Sequence, residues 1–380
     1  MKKVFSVLLS LCLVCGIVPT DRALAFSQSD ISAGSAILVE AESGRVIFEK
    51  NAYERRPMAS TTKIMSTILS IESGDLDTRF TVDSEAIKVE GSSMGLVEGD
   101  SVTKRDLCYG MMLPSGNDAA NATAVKVAGN VDAFVRMMND KASEIGLSDT
   151  HFVTPSGLDD YTDDHYSTAY DMAMLARYAM QNETFCEICG TESVCLEYGN
   201  PPYKRWLTNT NKLLKTCKGV CGVKTGFTDK AGRCLVSACE RDGVKLICVT
   251  LNAPNDWQDH NRLYNFGFSK LVNTELPCDY YGFNIDVVGG KIPNIICSVE
   301  EKPRATMYVA EADNVTSEVI LPKFLYAPVV QNEKVGEIRF YSGEIEVACV
   351  DIIAKEFVEA EEPEEKSLLE RIKDKFIFEW

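Results

Sequence analysis

The sequence predicts an α+β fold, a single antiparallel sheet with helices packed on it, followed by a smaller all-β domain. Three observations predict this. Residues 34–50 read as a β-hairpin, residues 106–181 are dominated by helical patterns, and residues 219–251 switch to strand patterning. A hairpin at one end and an antiparallel meander at the other imply a sheet assembled from both ends of the domain, with the helical block laid against it.

The elements follow in chain order. The hairpin turns near Glu42-Ser43-Gly44. After Ser60, the apolar residues Ile64, Met65, Ile68, Leu69 and Ile71 recur at helical spacing, and Gly74 ends the run. Further helices are expected over Ala119–Val127, Val131–Ile145 and Thr168–Met180. In the meander, Lys224-Thr225-Gly226 lies on the first strand, and a turn at Asp229–Gly232 leads to a second strand over Cys234–Cys239. A turn at Arg241-Asp242-Gly243 then leads to a third strand over Val244–Leu251. Composition changes after Leu271. Ile338 and Phe340 alternate before Ser342-Gly343, and Ile345, Val347 and Cys349 alternate after it, a hairpin pattern inside a β-rich stretch. Glu356 to Glu365 reads as a solvated acidic linker, and Lys366–Trp380 gathers Leu368, Leu369, Ile372, Phe376 and Trp380 on one helical face. The expected layout is therefore a leader over residues 1–25, a principal domain over 26–272, a β-rich domain over 273–355, and a linker with an amphipathic helix over 356–380.

The 380 residues carry 56 acidic and 39 basic side chains, a formal charge of -17, which argues against a nucleic-acid partner. Lys2 and Lys3, the apolar stretch Val4–Val18 and the Ala23-Leu24-Ala25 site together form the pattern of a secretory signal, too short to span a bilayer. Of 14 cysteines, Cys12 and Cys15 would leave with it. Cys186, Cys189 and Cys195, and Cys217 with Cys221, are open to bridging, while Cys234, Cys239 and Cys248 sit in strand-like apolar runs as small hydrophobes. With three histidines in the whole chain and none beside these cysteines, no metal or other cofactor is expected.

Three short motifs carry the chemistry: Ser60-Thr61-Thr62-Lys63, Ser115-Gly116-Asn117 and Lys224-Thr225-Gly226. Singly, each has a bland reading as an N-cap, a turn or a strand end. In this order, on helix, loop and strand, they supply the parts of serine acyl transfer. A serine hydroxyl is a poor nucleophile until its proton is removed. Lys63, one helical turn beyond Ser60, faces the same cleft and can accept that proton once burial and the second cation Lys224 depress its pKa. Asn117 can bond Lys63 and a substrate carbonyl, and Ser115 can relay a proton to a leaving amine. Lys224 and Thr225 can hold a carboxylate, and Gly226 admits the substrate backbone close to the strand. The backbone N–H groups of Ser60 and Phe227 would form an oxyanion hole.

Longer strings sharpen this. Pro57–Met65, Ser115–Ala120, Phe152–Leu158, Ser167–Met172 and Val223–Gly232 are very similar to the motif regions of the D-alanyl-D-alanine carboxypeptidases, the low-molecular-mass penicillin-binding proteins, and the resemblance runs over about residues 34–360. The resemblance implies a penicillin-binding/β-lactamase-like domain with helices on both faces of its sheet. It also implies removal of the terminal D-alanine from peptidoglycan pentapeptide stems through an acyl-enzyme on Ser60, and acylation by β-lactam antibiotics. It further implies export to the outer face of the cytoplasmic membrane, held at the membrane surface by residues 366–380. Two departures stand out. Thr210 lies in a run, Asn209–Leu214, that in the family often carries an additional Arg, and the basic residue the family commonly has near Trp257–Arg262 has only Arg262 as a candidate here. Two other readings stay open: a β-lactamase, which needs a dedicated deacylation base that no residue obviously supplies, and an idle wall-binding scaffold, which would be free to lose Ser60, Lys63 and Lys224.

Overall fold

The computed structural model describes residues 26–159, 161–278 and 282–362. Strands β1 (Ser35–Glu40) and β2 (Val46–Lys50) form the expected hairpin, and a 3-10 turn over Ala59–Thr62 runs into α1 (Lys63–Glu72). The helix therefore begins at Lys63 rather than Ser60, and the serine sits on the tighter turn just ahead of it. A two-rung ribbon of β3 (Phe80–Thr81) and β4 (Ser101–Val102) precedes α2 (Lys104–Met112), α3 (Asn117–Ala128), α4 (Val131–Glu144), α5 (Ala169–Ala179) and α6 (Glu183–Gly190). Strands β5 (Ser193–Gly199) and β6 (Pro202–Thr208) form a second ribbon, and the short α7 (Leu213–Thr216) leads to the meander β7 (Val220–Thr228), β8 (Gly232–Arg241) and β9 (Val244–Leu251), closed by α8 (Asp256–Lys270).

The main sheet has the order β2-β1-β9-β8-β7, so the N-terminal hairpin pairs with the last strand of the meander, as expected of a sheet built from both ends. Helices cover both faces. On one, Ile64, Met65 and Ile68 of α1 pack with Val236, Ile247 and Val249. On the other, Leu263 and Tyr264 of α8 pack with Leu38, Leu235, Leu246 and Cys248. Strand β7 is the sheet's edge. That edge faces the 3-10 turn bearing Ser60, which places two of the three motifs opposite each other.

The remainder is a separate β unit with its own core around Ile285, Met307, Ile338, Phe340 and Ile352. Strands β10 (Leu271–Glu275) and β13 (Arg304–Tyr308) pair with each other. The rest of the unit is a six-stranded sheet built from β11 (Phe283–Val288), β12 (Asn294–Ser298), β14 (Val315–Ile320), β15 (Phe324–Tyr326), β16 (Lys334–Ser342) and β17 (Ile345–Ala354). The hairpin expected around Ser342-Gly343 is β16–β17. Arg45, from the first hairpin, reaches this unit through a bidentate pair with Glu311 at 2.8 and 2.9 Å. All twelve described cysteines, Cys108 to Cys349, are free thiols, so none of the candidate bridges is formed. The leader and the amphipathic segment 366–380 lie outside the described residues. Among the described residues, no helix is long and apolar enough to cross a membrane.

Candidate active site

The serine is held by the turn beneath it. Ala59 has a positive φ of 48°, and the backbone of Gly157 lies so close that a Cβ there would stand 2.0 Å from the Ala59 carbonyl oxygen. Only glycine, itself at φ 88°, fits that contact. Thr62 donates its hydroxyl to the same carbonyl at 2.8 Å and accepts from His165 Nε2 at 2.8 Å. The tautomer follows from the other ring nitrogen: Nδ1 accepts the Val153 N–H at 2.9 Å, so Nε2 carries the proton. Burial pushes His165 down to about 3, which keeps this brace neutral.

Lys63 lies wholly buried one turn along. Its Nζ stands 2.9 Å from Ser60 Oγ, 2.7 Å from Asn117 Oδ1 and 2.7 Å from the Ser156 carbonyl oxygen. The Asn117 amide is oriented by its Nδ2, which donates to Glu90 O at 2.7 Å, so Oδ1 faces the lysine. Burial, reinforced by the charge of Lys224, holds Lys63 well below the usual lysine range. A neutral amine has two N–H groups and one lone pair. Asn117 Oδ1 and Ser156 O can only accept, so they take both N–H groups and leave the lone pair directed at the Ser60 hydroxyl.

Asn117 opens α3, and its neighbour Asp118 pins the distant 93–96 segment against this end of the helix. The buried Asp118 carboxylate accepts from Ser93 Oγ at 2.6 Å and from the N–H groups of Met94, Gly95 and Leu96 at 3.0–3.1 Å. Ser115 is buried in the short link between α2 and α3 with a φ of 67°. Its hydroxyl makes no hydrogen bond among the described residues, two residues ahead of the Asn117 that contacts Lys63.

The edge strand forms the opposite wall. Lys224 is buried, donates to the Thr225 carbonyl at 2.9 Å, and is pushed down to about 7 by desolvation. A Cβ on Gly226 would meet Ser60 N, Thr61 N and Met58 O at 3.1 Å, so a side chain there would fill the gap between the strand and the serine's backbone N–H. Phe227, next along, is 60% exposed at the mouth. Thr225 and Thr210 share a hydroxyl–hydroxyl bond of 2.7 Å, with Thr210 also donating to Leu113 O at 3.3 Å. Among the described residues, no three His, Cys, Asp or Glu side chains converge as a metal-ligand set.

A family model described as D-alanyl-D-alanine carboxypeptidase matches residues 22–255, and one described as penicillin-binding protein 5, C-terminal domain, matches residues 282–360. The chain belongs to this family of serine-type carboxypeptidases. It is 36% identical over 246 residues to the D-alanyl-D-alanine carboxypeptidase DacF of Bacillus subtilis, covering 63% of this chain and 62% of that one, so the match spans less than two thirds of that relative. It is 30% identical over 371 residues to the D-alanyl-D-alanine carboxypeptidase DacD of Escherichia coli, covering 91% of each. Penicillin-binding protein 5 of Haemophilus influenzae superposes with a TM-score of 0.66 at 25% identity, over 87% of this chain and 98% of that one.

Within that family frame, the structure joins Ser60, Lys63 and Asn117 by hydrogen bonds, sets Gly226 of the Lys224-Thr225-Gly226 edge against the Ser60 backbone and Lys224 close enough to act on Lys63. Ser115 lies two residues before Asn117, and Phe227 follows Gly226 on the same strand. It does not bring Arg262 to them. That side chain is exposed and donates to the Asp30 carbonyl at 2.6 Å. The reason is helical phase: Asp256, Asp259, His260, Leu263, Tyr264 and Gly267 are the buried residues of α8, and Arg262 falls on the opposite side. Thr210 does reach the cleft, but with a hydroxyl and no charge. Sequence reasoning missed Ser156, which acts through its backbone carbonyl, and Asp118. A carbonyl carries no residue identity, but Asp118 was legible in principle as an acid in the first turn of a helix.

Proposed function

We propose that the protein is an exported carboxypeptidase that removes the terminal D-alanine from peptidoglycan stem peptides through an ester on Ser60. The observation that carries this reading is the buried Lys63 Nζ held 2.9 Å from Ser60 Oγ between two acceptor-only neighbours, Asn117 Oδ1 and the Ser156 carbonyl, an arrangement that leaves a neutral amine's lone pair for the Ser60 hydroxyl. In the acylation step Lys63 takes the hydroxyl proton and Oγ bonds to the carbonyl carbon of the penultimate D-Ala. The oxyanion is held by the N–H groups of Ser60 and Phe227, each such donor contributing about 3 kcal/mol to the rate. The proton passes from Lys63, with Ser115 as relay, to the leaving nitrogen, and free D-Ala departs. Water then cleaves the ester, with Lys63 again as base. Asn117 bonds the substrate's backbone carbonyl, while Lys224 and Thr225 face the terminal carboxylate.

A β-lactam is a cyclic amide that also carries a carboxylate. Its amine stays tethered after ring opening and blocks the approach of water, so its ester on Ser60 is long-lived. Residues 366–380 would hold the enzyme at the outer face of the cytoplasmic membrane, and their deletion is expected to move the protein from the membrane pellet to the soluble fraction.

One experiment separates this reading from its rivals. The full chain and Ser60→Ala are incubated with a fluorescent penicillin, and D-Ala release from an acyl-D-Ala-D-Ala peptide is measured in parallel. A stable label and D-Ala release, both lost in the variant, are expected. Rapid turnover of the antibiotic without a trapped label indicates a β-lactamase instead, and neither label nor release indicates a scaffold.

A further inference from the structure

A peptide ending in D-Ala presents a full negative charge to this cleft, and the two motif lysines are poor permanent counter-charges for it. Both are buried. Lys63 is held well below its ordinary range, and Lys224 is pushed down to about 7 and donates to the Thr225 carbonyl. Thr225 and Thr210 offer hydroxyls only. Arg262 is on the far side of α8, and the turn residue Lys230 is taken by Thr162 O and by Asp163 at 2.6 Å.

One guanidinium stands on the correct rung. In the β7–β8 ladder, Thr225 pairs with Leu235 and Phe227 with Arg233. Alternate residues of a strand share a face, so Thr225, Phe227, Leu235 and Arg233 lie on one face of the sheet, the face on which Leu235 packs against α8, with Thr225 and Phe227 on the edge strand itself. Arg233 is diagonal to Thr225, a spacing that long side chains bridge.

Arg233 is also held in place. Asp256, buried at the start of α8, accepts from its Nε at 3.0 Å and from its Nη2 at 2.9 and 2.8 Å. The Trp257 ring lies 5.3 Å from the guanidinium carbon. The side chain is still 41% exposed, and Nη1 takes no part in the Asp256 bonds. A guanidinium has five donors in a fixed plane, so one edge can be anchored while another remains open to a second carboxylate.

We infer that Arg233 is the carboxylate-binding cation of this cleft, anchored by Asp256 and acting with Thr225 on the C-terminal carboxylate of the substrate. The inference rests on the carboxypeptidase reading above. It assigns the role to the strand next to the Lys224 motif instead of to the Asn209–Leu214 run or to Arg262.

The test compares two substrates of the full chain: an acyl-D-Ala-D-Ala peptide, and a thioester of the same acyl group whose leaving thiol carries no charge. Arg233→Gln should lower kcat/KM on the peptide about 10- to 100-fold, mainly through KM, the loss expected for one charge-assisted hydrogen bond. The loss on the thioester should be at least tenfold smaller, and Arg233→Lys should recover part of the difference. Because Arg233→Gln leaves a buried Asp256 unpaired, Arg233→Gln/Asp256→Asn is measured alongside, with its thermal midpoint, and should show the same selective loss. An equal loss on both substrates, or no loss on the peptide, overturns the assignment. If the unmodified chain processes neither substrate and takes no acyl group on Ser60, the carboxypeptidase reading has failed instead, and the assignment falls with it.

Discussion

The two walls of the cleft are built on opposite principles. On the helical wall the Asn117 and Ser156 acceptors are buried and committed to Lys63, and burial holds Lys63 well below the usual lysine range. On the sheet wall Thr225, Phe227 and Arg233 are partly open to solvent, and Arg233 keeps donor capacity beyond its Asp256 anchor. The contrast teaches where each task belongs. Proton transfer needs a fixed lone pair in a low-dielectric site, so that wall is locked by the protein itself. On the proposed reading, recognition uses a donor left open at the surface, and the sheet wall keeps one at Arg233 Nη1.

Substitutions should separate the two walls, the largest effect coming from the helical one. Lys63→Arg keeps a long basic side chain but brings a permanent charge and no lone pair at neutral pH. Acylation of Ser60 by penicillin should fall roughly 100- to 10,000-fold, read as the rate of fluorescent labelling. A rate within tenfold of the original would remove Lys63 as the base and collapse the contrast. Asp118→Ala should act on stability instead. It leaves the Ser93, Met94, Gly95 and Leu96 donors without their acceptor, so urea denaturation should show a loss of about 3 kcal/mol, accompanied by slower acylation as Asn117 loses its setting.

A pH profile probes the coupling between walls. Lys63 must be neutral to act, so acylation slows as pH falls through its pKa. The Lys224 charge lowers that pKa, and Lys224→Met should therefore move the acid limb to higher pH. An unmoved limb would mean that the walls are electrostatically independent. Stability should carry the matching sign. Lys224 is pushed down to about 7 in the folded chain from the ordinary lysine value of 10.5, so the unfolded chain binds more protons between those values. Stability conferred relative to Lys224→Met should rise with pH across that window. The smallest effect is expected from Thr225→Val, a few-fold rise in KM for the peptide substrate with kcat nearly unchanged, since a neutral hydroxyl contributes about 1 kcal/mol.

Parts of this cleft are legible in the sequence. The third meander strand is expected at Val244–Leu251 and is found there, because its apolar run is bounded by a turn at Asp242-Gly243. Helix α8 is not legible in the same way. Its buried face carries Asp256, Asp259 and His260, polar side chains satisfied by partners elsewhere in the fold, so its apolar period is weak. The ribbon β5–β6 also escapes sequence reasoning, because Glu197, Lys204 and Arg205 break up its apolar pattern. Arg233 goes unnoticed for a different reason: nothing in Ala231-Gly232-Arg233 announces a ligand until the register places it opposite Phe227.

By itself, the sequence determined the parts and their order: a serine and a lysine one turn apart, an asparagine opening a helix, and a Lys-Thr-Gly strand that ends up on an edge. These are local properties, set by the 3.6-residue helical period and the two-residue strand period. The tertiary structure alone decided that Lys63 is buried near a second lysine, that its Nζ lies within hydrogen-bond reach of Ser60 Oγ, Asn117 Oδ1 and the Ser156 carbonyl, and that Arg262 falls on the far side of α8 while Arg233 pairs beside the Lys-Thr-Gly edge strand. Charge state, hydrogen-bond direction and cross-strand neighbours depend on burial and on groups distant in the chain, and no local pattern encodes them.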